Sequence, residues 1–81
     1  MDHEEIRDSI LDILKELHED IDFESEEKMV DDKILDSFDL VTLVTELSEE
    51  FTVDITAKDF IAENFNSVDS LTEMIARLID E

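Results

Sequence analysis

Not one of the 81 residues is glycine or proline. Tight hairpins draw on glycine at positive-φ positions, and many reverse turns draw on proline. A chain with neither is steered away from sheets and toward helices joined by irregular loops, so an all-α fold is expected. A chain of 81 residues suffices for one domain rather than two, and residues 1–81 are expected to form it. The apolar share of 42% supports a packed core and lies outside the low-hydrophobicity signature of disorder.

Apolar periodicity places the helices. Ile6, Ile10, Ile13, Leu14 and Leu17 fall on one stripe, which predicts a helix over 3–18, with Asp2 as N-cap and Glu4 and Glu5 at its positive end. Leu40, Leu43, Val44, Leu47 and Phe51 form a second stripe over 37–51. Phe38, Val41, Thr45 and Ser48 lie on its neighbouring face, where Val41 either widens the core stripe or meets a partner. A third stripe of Leu71, Ile75 and Leu78, flanked by Val68 and Met74, predicts a helix over 68–80 with Asn66 and Ser67 as caps. After the β-branched stretch 52–56, Thr56 is expected to cap a short helix over 57–63, with Phe60 and Phe65 as its anchors. Residues 19–36 show no clean period. Apolar residues spaced along them predict a long loop pinned to the core, with a helical turn near 26–30.

Charge excludes several functions. Six Lys and Arg against 26 Asp and Glu give a net charge of −20. Such a surface repels phosphate backbones and anionic membranes and steers partners with basic patches toward it. The absence of cysteine removes disulfides, thiolate nucleophiles and cysteine-based zinc sites. His3 and His18 are too few and too far apart for a metal cluster, and both are expected to be solvated. The calcium-loop pattern lacks its glycine. The N-terminus is acidic where a signal segment is basic then apolar, and no apolar run approaches a membrane span. A soluble, cytoplasmic monomer is expected.

The stretch most able to carry chemistry is Ile34-Leu35-Asp36-Ser37-Phe38-Asp39-Leu40. Ser37 stands where the long loop meets a helix N-terminus, a position whose free N–H groups and positive dipole end favour an attached phosphodiester. Asp36 and Asp39 flank it, and paired carboxylates beside a serine can hold a divalent cation during phosphoryl transfer by another enzyme. A residue of this type before a helix is ordinarily an N-cap. A catalytic serine needs a general base, and neither histidine has a context that supplies one. On spacing alone, cap and attachment site both stand.

The Asp36-Ser37-Phe38-Asp39 run, followed by Leu40-Val41 and closed by Leu47-Ser48-Glu49-Glu50-Phe51, resembles the acyl carrier proteins. Asp54-Ile55 and Asn66-Ser67-Val68 extend the resemblance over nearly the whole chain. It implies a four-helix bundle of three longer helices, a short third helix and a long first loop. It also implies a 4'-phosphopantetheine arm attached to Ser37 by a phosphopantetheinyl transferase, with Asp36 assisting a transient magnesium and Phe38 and Asp39 beside the site. The arm's thiol then bears acyl or aminoacyl cargo as a thioester, and the chain itself catalyses nothing. Phe38, Val41, Thr45, Glu46, Ser48 and Glu49 become the face offered to basic partner enzymes. Lys33 stands where many relatives have glycine, Thr56 where a proline is frequent, and Thr42 and Thr45 where fatty-acid carriers have acidic and bulky apolar residues. The segment 57–66, with Phe60 and Phe65-Asn66-Ser67, looks closer to D-alanyl carriers and to stand-alone carriers served by adenylating ligases. The alternative function is an unmodified acidic helical module that binds a basic partner through its second helix. An acidic ion buffer is a third, resting on charge alone.

Overall fold

The computed structural model describes residues 2–80, and its regular structure is entirely helical: α1 (His3–Leu17), α2 (Ser37–Phe51), α3 (Ala62–Phe65) and α4 (Val68–Asp80). Among the described residues there is no strand, as the missing glycines and prolines imply, and no helix is long and apolar enough to cross a membrane. The acyl-carrier-like helical bundle is the observed fold.

Each stripe faces the core as its spacing requires, with Leu17, Leu40, Val44 and Leu78 half-buried against it. Ile6, Ile10, Ile13 and Leu14 of α1 meet Leu43, Leu47 and Phe51 of α2, and Val68, Leu71, Met74 and Ile75 of α4, in one core. The first helix lies against both α2 and α4, and α3 lies against α4. Asp2 caps α1 by accepting from the amide of Glu5 at 2.9 Å. The Ser67 hydroxyl caps α4 by accepting from the amide of Ser70 at 3.0 Å.

The long first loop is pinned, as its apolar residues predict: Phe23, Met29 and Leu35 are buried. Its lock is Asn66. The Asn66 backbone carbonyl accepts from Met29 N at 2.9 Å, and its side-chain oxygen accepts from Val30 N at 2.9 Å and Asp31 N at 3.1 Å. The loop's turn lies later than 26–30: Asp32 N donates to Lys28 O at 2.8 Å and Lys33 N to Val30 O at 3.0 Å. Lys33 has φ 59°, so the glycine-like position is left-handed in fact. Thr52, ending α2, shares that conformation at φ 52°.

The short helix departs from the reading over 57–63. Thr56 begins a turn instead, because its amide and hydroxyl are both drawn to the Asp59 carboxylate, at 3.4 and 3.3 Å. Helix formation waits until Ala62, and α3 has no side-chain cap. Phe65 is buried, and Phe60 packs edge-on against it at 5.2 Å. Asp59, 5% exposed, also accepts from Arg77 of α4 at 3.4 Å, which fixes the 56–60 segment to the last helix.

Candidate functional site

Ser37 is the first residue of the 15-residue α2 and is exposed. Asp36 before it is the N-cap: its Oδ1 accepts from the amide of Asp39 at 2.8 Å. Asp39 reciprocates, its Oδ2 accepting from the amide of Asp36 at 3.4 Å, which completes a capping box around Ser37. The amides of Asp39 and Leu40 are thereby satisfied, the latter by Asp36 O at 3.0 Å. Those of Ser37 and Phe38 are the orphan donors every helix start exposes, and together with the dipole they favour an anion. Such a start suits a phosphodiester on the Ser37 oxygen.

The two aspartates are not equivalent. Asp36 spends Oδ1 on the cap, and its Oδ2 has no hydrogen-bond partner among the described residues. Asp39 is a structural group, with its side chain 16% exposed. His18, at the end of α1, donates from Nε2 to Asp39 Oδ2 at 2.7 Å; since a carboxylate only accepts, Nε2 carries the proton. That bond, helped by the amide of Asp36, holds the Asp39 carboxyl below the usual carboxylate value against the opposing effect of its partial burial. The expectation of a solvated His18 is therefore corrected: the side chain is two-thirds buried and tied across the base of the long loop. His3 is exposed as expected.

The residues expected to meet a partner are only partly brought together. Phe38 is 79% exposed and Val41 63%, so Val41 points outward rather than widening the core. Thr45 and Glu49 continue this exposed face, while Ser48 is half-buried at its end. Thr42 and Thr45 return their hydroxyls to the carbonyls of Phe38 and Val41, at 3.1 and 3.0 Å. Glu46 lies on the other flank, lining a polar groove toward α1 with Asp12, Glu16 and Glu50. No Lys or Arg interrupts α2.

Beside this face are two open apolar depressions. One of about 230 Å³ lies between α2 and the 55–60 segment, lined by Val41, Val44, Thr45, Ile55, Ala57 and Phe60. The other, of about 170 Å³, is lined by Val30, Leu40, Ile61, Ala62 and Phe65, again with Phe60. Phe60 thus borders both. Sequence reasoning gave Asp59, His18 and Asn66 no such roles, because each acts on a distant segment; the Thr56–Asp59 spacing of three was the one local signal of a side-chain-closed turn.

The sequence pattern of the family described as "Phosphopantetheine attachment site" matches residues 4–75. A D-alanyl carrier protein of Streptococcus suis (strain 05ZYH33) is 28% identical over 76 residues, covering 93% of this chain and 96% of that protein. No solved structure matches the chain.

Proposed function

Because the chain belongs to the phosphopantetheine attachment site family, we propose that Ser37 is the residue that bears its 4'-phosphopantetheine. The protein is a carrier and not a catalyst. One observation carries the assignment to Ser37. Among the described residues it is the serine that is both exposed and uncommitted. Ser25 donates to Asp22, Ser67 and Ser70 are bonded to each other, and Ser9 and Ser48 are half-buried.

In the modification, a phosphopantetheinyl transferase presents coenzyme A to the apo protein. The Ser37 oxygen forms the new phosphoester bond and the pyrophosphate bond of coenzyme A breaks. Adenosine 3',5'-bisphosphate leaves, and the serine proton passes to a base of the transferase. Asp36, whose Oδ2 is not used by the cap, would hold the magnesium ion that such a transfer uses. Once attached, the group supplies the thiol that this cysteine-free chain lacks, on which cargo is held as a thioester. Phe38, Val41, Thr45 and Glu49 form the docking face, an apolar strip edged by acid that suits enzymes with basic patches.

The cargo is aminoacyl, delivered by an adenylating ligase. The relative named as a D-alanyl carrier supports this, as do the two shallow depressions, which are open to solvent and small. The test is to treat apo protein with coenzyme A, magnesium and a broad-specificity transferase and to measure intact mass. A gain of one phosphopantetheinyl group that disappears in Ser37→Ala is expected. No gain, or a gain that survives the substitution, overturns the assignment. Subsequent loading with aminoacyl and fatty-acyl ligases decides the cargo.

A further inference from the structure

The contact between His18 and Asp39 joins two helices that the sequence separates by the long loop. His18 closes α1 with its backbone amide on Leu14 O at 3.0 Å, so its backbone position is fixed by that helix. Its ring then reaches the third residue of α2, in a bond of 2.7 Å that is the shortest of the site. Asp39 is the return arm of the capping box, and the box sets the backbone entering Ser37 and the rotamer of Asp36. We propose that His18 is a positioning residue for the modification of Ser37, acting through Asp39 to hold the first turn of α2 in the conformation a transferase accepts. This rests on Ser37 being the attachment residue.

The physical case is one of competing states. A helix start is the least stable part of a helix, because its first amides have no intrahelical acceptors. Here the loop leading into it includes Lys33 in the left-handed region and contains no glycine or proline to stiffen or ease the approach. The capping box alone uses one short bond of 2.8 Å and one long bond of 3.4 Å. The bond from His18 fixes the carboxylate on which the long one depends. When only a fraction of molecules holds the competent start, the apparent affinity of an enzyme for it falls by that fraction. Loss of His18 therefore acts on KM for the apo carrier and leaves kcat, which describes the bound and already ordered complex.

Three variants separate this role from general support of the fold. His18→Ala removes the bond. Glutamine matches the reach of the histidine Nε2 through the same number of bonds, so His18→Gln restores it without a ring. His18→Asn keeps a polar residue at the end of α1 but falls short of Asp39. For transfer from coenzyme A, His18→Ala and His18→Asn are expected to raise KM for the carrier about threefold to tenfold with kcat held, the range one ordinary net hydrogen bond supports. His18→Gln is expected within about twofold of wild type. In parallel, hydrogen exchange at the amides of Asp39 and Leu40 is expected to quicken in the Ala and Asn variants by a similar factor, with α4 unchanged.

A lowered melting temperature with KM and local exchange unchanged overturns the proposal, since His18 then serves the fold alone. Equal rescue by Asn and Gln also overturns it. If wild-type protein accepts no group, the assignment of Ser37 fails instead, and the exchange at Asp39 and Leu40 still decides whether His18 orders the start of α2.

Discussion

Removing the Asp59 carboxylate is expected to weaken the fold at the wall of the larger apolar depression. Its side chain is 7% exposed and binds Thr56 through two donors, at 3.4 and 3.3 Å, and Arg77 at 3.4 Å. All three contacts are long, so each falls in the lower half of the range of about 0.5–1.5 kcal/mol for a net hydrogen bond. The groups left behind are not trapped. Arg77 is 55% exposed and Thr56 is exposed, so water replaces the lost partner. The penalty of about 3–5 kcal/mol for stranding a buried charge therefore does not apply. Asp59→Ala is expected to cost about 1.5–3 kcal/mol, and Asp59→Asn about half of that. For a domain of this size each kcal/mol lowers the melting temperature by about 4–8 °C. Thermal denaturation followed by far-UV circular dichroism at fixed pH and salt should show Asp59→Ala melting about 6–24 °C below wild type. In a double-mutant cycle, Arg77→Met should couple to it by about 0.5–1 kcal/mol. A shift under about 2 °C for Asp59→Ala would refute the reasoning, showing that the 56–60 segment is held by its apolar contacts alone.

Other perturbations test other parts of the account. Asp39 has its carboxyl pKa lowered by His18, so its contribution to stability is complete above the ordinary carboxylate range and fades as pH falls through the lower, folded value. Acid unfolding should accordingly separate wild type from Asp39→Asn, the wild type losing more stability on going from neutral pH to below about pH 4. Lys33→Gly, which relieves a left-handed backbone at φ 59°, should raise stability by about 0.5–1 kcal/mol in denaturant titration, and a loss would show that the lysine has compensating contacts. With a net charge of −20, added sodium chloride or magnesium should raise the melting temperature, and a flat response would show that self-repulsion is already relieved in the fold.

The parts of this molecule that could be read from sequence are those governed by local period. Each of the three long helices has a stripe such as Ile6-Ile10-Ile13, whose spacing alone fixes which face is buried, and their boundaries follow to within a residue. Ser37 and Asp36 were legible because a helix start announces itself through its cap. The rest depends on contacts between segments far apart in the chain. His18 and Asp39 lie 21 residues apart, Asp59 and Arg77 18, and Val30 and Asn66 36. An exposed-looking histidine became a tie between helices, and an expected helix cap became a loop lock. The short helix was misplaced for a related reason: Thr56 and Ala57 have no propensity that forbids a helix, but the carboxylate at 59 closes a turn on Thr56 before one can start.

The central claim is that the phosphopantetheinyl group sits on Ser37, and localising it by tandem mass spectrometry tests this most directly. After in vitro modification and proteolysis, the fragment ions should place the added group on Ser37, with Ser25, the other exposed serine, unmodified. Fragment ions that place it on Ser25 or any other serine would contradict the account.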